Sequence, residues 1–149
     1  MIRSETRLVI ALLLALAGVG CGSGDSAASS APTSPTPAPT RAILVQGGFD
    51  LAVNYHNGVW FSTVRVGTLD VTVDWTYTDS TIWVYVGLGS CTEVQIQAGE
   101  CHFIAQSLTA SPKPRVLTIP GLPAGQYTLL IYNGSARPES VAFTVGLTS

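Results

Sequence analysis

Hydrophobic positions follow three successive patterns along this chain. From Leu8 to Ala17 they run without interruption, and from Gly22 to Thr40 large apolar residues are absent. From Arg41 onward they alternate with polar residues at a period of two, and no stretch forms an amphipathic helical repeat. Leu69-Asp-Val-Thr-Val-Asp-Trp75 is the clearest strand: Leu69, Val71, Val73 and Trp75 point to a core, and Asp70, Thr72 and Asp74 to water. Val141-Ala-Phe-Thr-Val145 repeats the pattern with Thr144 outward. Thr81–Val86 and Tyr127–Tyr132 are apolar on both faces, as central strands of a sandwich are. Val59–Val66 and Arg115–Ile119 are further strands, with weaker ones at Ala42–Gln46 and Leu51–Tyr55.

Turn signals separate these strands at Gly47-Gly48, Asn57-Gly58, Gly67, Gly87–Ser90, Pro120-Gly121, Pro123–Gly125 and Asn133-Gly134. Asn57-Gly58, between Tyr55 and Trp60, predicts a tight primed hairpin turn. Many short strands at such spacing predict an all-β fold, a single antiparallel β-sandwich of jelly-roll or Ig-like type over residues 41–149. Trp60 and Trp75 are candidate core residues.

The uninterrupted apolar run is too short to cross a hydrocarbon layer of about 30 Å. With Arg3 and Arg7 before it and small residues after it, the run marks residues 1–20 as a signal peptide. Gly18-Val-Gly-Cys21 resembles the lipobox of bacterial lipoproteins, with Gly18 standing where that family usually has Leu. The resemblance implies a diacylglyceryl group on the Cys21 thiol and cleavage that leaves Cys21 as the first mature residue. Acyl chains such as palmitate then anchor the protein to the membrane, each buried CH₂ contributing about 0.8 kcal/mol. Gly22 is not the Asp that retains such proteins at the inner membrane of enteric bacteria. The expected location is therefore the cell envelope, at the outer membrane. A plain secreted protein with a stray thiol is the alternative.

Residues 21–40 hold the lipidated cysteine and a tether, flexible at first and then stiffened by Pro32, Pro35, Pro37 and Pro39. A stalk of this length sets a domain on the order of 30–50 Å from the lipid surface. The chain has three cysteines. With Cys21 lipidated, Cys91 and Cys101 remain to form a disulfide, the default in an exported chain. From Cys21 onward five basic residues face eight acidic ones, a thinly spread negative balance that argues against nucleic acid as a partner.

Val59–Val64, Gly67–Val73, Ile82–Val86, Leu122-Pro-Ala-Gly-Gln-Tyr-Thr-Leu-Leu-Ile-Tyr-Asn133 and Glu139–Val145 resemble a bacterial pre-peptidase C-terminal domain over residues 42–147. That family is jelly-roll-like and rides on exported enzymes. The resemblance implies accessory binding or stabilisation rather than catalysis.

Candidate chemistry is sparse. The two histidines, His56 and His102, come with no Gly-x-Ser-x-Gly elbow. Asp70 and Asp74 stand about 13 Å apart by strand rise, too far for a retaining glycosidase pair. Catalysis would require His56 or His102 to meet acids in a cleft, and the expectation is that the protein is not an enzyme. No cofactor is expected beyond structural calcium on oxygens of Asp50, Asp74 and Asp79, and His102 beside Cys101 is too little for a metal site.

Binding rests on aromatic residues. If Ile82, Val84 and Val86 point inward, Trp83 and Tyr85 point outward, and Tyr132 has the same parity on its own strand. Such a row grips sugar rings by stacking, with hydroxyl partners such as Thr81 or Thr128. The alternative is that a loop or the second sheet covers both faces. The expected function is a lipid-anchored, non-catalytic accessory module for a glycan or a protein partner, and the runner-up is a structural or assembly component of the envelope. Glycan binding predicts a concave exposed row that includes Trp83 and Tyr85. Assembly predicts a flat apolar patch or an open edge strand.

Overall fold

The computed structural model describes residues 38–109 and 113–149. The signal segment, Cys21 and the tether up to residue 37 lie outside the described residues. In chain order the elements are β1 (Arg41–Leu51), β2 (His56–Thr63), β3 (Gly67–Trp75), β4 (Ile82–Leu88), α1 (Glu93–Ala98), β5 (Phe103–Ser107), β6 (Arg115–Leu122), β7 (Gly125–Asn133) and β8 (Glu139–Thr148). They form two four-stranded sheets, ordered β1-β8-β3-β6 and β2-β7-β4-β5, in which every pairing is antiparallel. The first strand pairs with the last, and only β4 and β5 follow each other within one sheet. This is the eight-strand jelly roll.

The alternating residues fill the space between the sheets. Leu69, Val71 and Val73 are fully buried, as are Ile82, Val84, Val86, Leu129, Ile131 and Val145, and Trp75 lies among them. Three buried polar side chains tie the loops to this core. Arg115 donates through Nη1 to the carbonyls of Ile82 (2.7 Å) and Ser107 (3.1 Å) and through Nη2 to that of Thr109, and its guanidinium lies over the Trp75 ring. Burial pulls the Arg115 pKa below its ordinary range. Asn133 and Glu139 hold the loops at the same end of the sandwich, the former through Leu51 and Arg137, the latter through Thr76, Tyr77 and Ser80.

Several predicted boundaries shift, each for a packing reason. Gly47-Gly48 is no turn: β1 extends the first weak strand, Ala42–Gln46, through both glycines to Leu51 against β8, and the second, Leu51–Tyr55, is not a strand beyond Leu51. A Cβ on Gly48 would lie 2.8 Å from the Val141 carbonyl oxygen, so the glycine permits close pairing rather than reversal. Asn57-Gly58 lies inside β2, and the chain reverses over residues 52–55, where Asn54 takes φ 55°. Pro120-Gly121 lies within β6, as a bulge where the register with β3 shifts. Residues 64–66 leave the strand and are exposed.

Trp60 is not in the core. It is 64% exposed, because Val59 and Phe61 take the inward parity of β2. The helix α1 and strand β5 were not anticipated. The signal for α1 was present in Thr92-x-x-Gln95, whose side chains form a capping box, and in Gly99, which ends the helix at φ 70°. Six residues are too few for a helical period to declare itself.

Candidate functional site

The outer face of the β2-β7-β4-β5 sheet gathers the three aromatic residues that the alternation pointed outward. Register sets Trp83 opposite Tyr132 and Tyr85 opposite Leu130, while His56 of β2 lies on the other side of Tyr132. The Trp83 and Tyr132 rings stack with centroids 5.0 Å apart, and Tyr85 meets Phe103 of β5 at 5.0 Å in a tilted contact. All three residues are half-buried. With Leu130, Phe103 and Ile96 of α1 they line a groove of about 410 Å³. The groove is thus bordered by α1 and by β5.

Neighbouring elements hold these side chains in place. The Tyr132 hydroxyl donates to Asn54 Oδ1 (3.3 Å), and the Asn54 N–H donates to the Asn133 carbonyl (2.9 Å), fixing the β1–β2 loop to the end of β7. The helix α1 lies within the loop closed by the Cys91–Cys101 disulfide, whose Cα atoms are 5.7 Å apart. This loop is seated on the sheet by the Cys91 N–H, which donates to Thr128 Oγ1 (2.9 Å), while that hydroxyl donates to the Gly89 carbonyl (2.7 Å). Thr128 is fully buried and committed there, so it is unavailable as the expected hydroxyl partner for a sugar. Thr81 is half-buried just before β4.

A second clamp joins α1 to β2. His56 Nε2 stands 2.6 Å from Glu93 Oε2, and Gln97 Nε2 donates to Glu93 Oε1 at 2.6 Å. The Gln97 amide first, and then His56, hold the Glu93 carboxyl below the ordinary carboxylate range. A depressed carboxylate contributes stability above its unfolded pKa of about 4.3 and loses it as pH falls through the lower folded value. The contact of α1 with β2 is therefore expected to persist through the ordinary glutamate range and to release only below it. A pH titration followed by NMR of the α1 amides checks this, and release at or above the ordinary range would contradict it. Within the groove, burial and then the neighbouring Tyr132 push the Tyr85 phenol up, which keeps its hydroxyl protonated.

His56 does meet an acid in a cleft, the condition set for catalysis. Besides that pair the cleft is lined by Tyr55, Asn57, Gly58, Trp60, Ile96 and Cys91. These residues supply no serine or threonine hydroxyl, and the Cys91 sulfur is in the disulfide. β6 brings Thr118 to Asp70, and the segment before it brings Lys113 to Asp74, not a second carboxylate. Asp50, Asp74 and Asp79 bind separately to Ser140, Lys113 and Arg137 and do not converge. Among the described residues no group of three His, Cys, Asp or Glu side chains is placed to hold a metal ion.

No family model and no curated protein matches this chain. Among solved structures it is similar to the crystal structure of the Yersinia pseudotuberculosis-derived mitogen, with a TM-score of 0.53 and 11% identity, over 74% of this chain and 87% of that one. At that identity the likeness is one of fold alone.

Proposed function

We propose that this protein is a lipid-anchored lipoprotein of the bacterial cell envelope whose jelly roll is a non-catalytic accessory module for a neutral glycan. The observation that carries the reading is the concave aromatic row of Tyr132, Trp83 and Tyr85, half-exposed and walled by α1 and Phe103. A pyranose offers an apolar C–H face and a rim of hydroxyls. Half-exposed rings take the face, and the Tyr85 and Tyr132 phenols meet the rim. Apart from His56, which is engaged by Glu93, no titratable nitrogen or carboxyl side chain lines this groove, which favours an uncharged ligand. The disulfide fits an exported chain. Lipid on Cys21 and the proline-stiffened tether supply the anchor, and the resemblance to pre-peptidase C-terminal domains supports an accessory role.

A structural or assembly role is the second reading, favoured by Val64 and Val66 on the β2–β3 loop, which are 91% and 62% exposed. Calorimetric titration against neutral envelope and extracellular polysaccharides separates the two. Saturable binding is expected, and Trp83→Ala is expected to weaken it about tenfold or more, a change of about 1.4 kcal/mol per decade. Binding that survives this substitution unchanged removes the groove as the site. Failure of every polysaccharide to bind removes the glycan reading.

A further inference from the structure

Strand β2 presents His56, Gly58, Trp60 and Ser62 to the same outer face, leading away from the aromatic groove. Trp60, at 64% exposure, has the largest uncovered ring on that face. It lines a second hollow of about 370 Å³ together with Ser62, Gly89, Ser90 and Gln126. Like the first, it sets an aromatic ring in a lining without lysine, arginine, aspartate or glutamate; beside Trp60 stand serine hydroxyls and the Gln126 amide, where the first has phenols and His56. A third hollow of about 210 Å³ lies between them, sharing Trp60 with one and His56 and Ile96 with the other; it is also lined by Glu93, whose carboxyl is engaged by His56 and Gln97.

The passage exists because of Gly58. The disulfide loop, seated on buried Thr128, occupies the middle of the face. On β2, between His56 and Trp60, the outward position is Gly58, which adds no side chain to the lining. A Cβ there would make only ordinary contact, at 3.6 Å from Thr128 Cγ2, so nothing in the packing demands glycine. Trp60 pairs with Thr128 and Trp83 with Tyr132, which separates the two tryptophan Cα atoms by roughly 16 Å from strand rise and spacing.

The geometry points to a second sugar subsite at Trp60, joined past Gly58 to the Trp83 groove, so that the module reads an extended neutral polysaccharide rather than a single sugar. This inference rests on the glycan-binding reading. Two uncharged aromatic subsites set several sugar rings apart reward chain length, because the second contact is made by a ligand already held at the first.

The test is calorimetry on residues 38–149, in which the core and both sheets are complete. The probes are β-1,4-glucan, β-1,4-xylan and chitin oligosaccharides from disaccharide to hexasaccharide. For at least one series the affinity is expected to rise about tenfold or more with length. Trp60→Ala and Gly58→Leu are each expected to abolish that rise while leaving disaccharide affinity at the wild-type value, and Trp83→Ala to weaken every length. A rise that persists in both variants overturns the second subsite, as does wild-type affinity independent of length, and either result leaves the Trp83 site standing. Absence of wild-type binding in all three series removes the subsite and the glycan reading together.

Discussion

Replacing Glu139 by alanine is expected to destabilise the domain by about 3 kcal/mol or more, at about 1–3 kcal/mol for each buried donor left without an acceptor. Glu139 is 2% exposed at the start of β8. Its Oε2 accepts from the backbone N–H groups of Thr76 (3.0 Å) and Tyr77 (3.1 Å), and its Oε1 from the hydroxyl of fully buried Ser80. One carboxylate thus satisfies three donors of the β3–β4 loop across more than fifty residues of sequence. Alanine leaves all three without their acceptor, and water has little access to replace it. Glu139→Gln keeps one acceptor oxygen and is expected to lose less. Urea denaturation measures both, and a cost below about 1 kcal/mol for alanine would mean that the loop is held by other contacts.

The second large effect is expected from the disulfide. Serine at both Cys91 and Cys101 removes closure of a short loop, worth about 3 kcal/mol on the chain-entropy account. For a domain of this size that is a fall in Tm of about 10–20 °C. Function is expected to suffer beyond stability. The loop carries Ile96, one wall of the aromatic groove, and Glu93, the partner of His56. Binding at the Trp83 groove is therefore expected to weaken even at temperatures where the variant is folded. Unchanged Tm and affinity after complete reduction, verified by thiol titration, would show that the contacts of Cys91 with Thr128 and of His56 with Glu93 suffice to hold α1.

The alternation along β3 and β8 was legible because each buries one face against the opposite sheet, whereas β7 is buried on both faces from Tyr127 to Ile131. Leu69, Val71 and Val73 inward, and Trp83, Tyr85 and Tyr132 outward, follow from a period of two once any inward residue is known. The same rule failed for Trp60 because the 59–66 strand reads Val-Trp-Phe-Ser-Thr-Val-Arg-Val, with apolar residues at both parities. Size suggested a core, yet Phe61 fills that place, stacked on Tyr127 with centroids 5.7 Å apart. Glycines misled in a similar way. Gly48 and Gly58 carry turn signatures locally, but one admits a neighbouring backbone and the other leaves a strand surface open. Neither use has a local pattern.

Residue order by itself determined what depends on near neighbours. That includes the parity of β3 and β8, the count of strands sufficient for a sandwich, the cysteines left to pair, and an aromatic set sharing outward parity. Tertiary structure decided everything that depends on register between distant segments. Pairing of β1 with β8 and of β2 with β7 joins positions roughly sixty to just over one hundred residues apart, and no local preference specifies such partners. Pairing of β4 with β7 stacks Trp83 on Tyr132, that of β2 with β7 sets Trp60 on the same face as the groove, and the seating of the disulfide loop on Thr128 carries Glu93 to His56. A strand has two faces fixed by its own geometry, but which of them becomes the inside is settled when the second sheet closes over it.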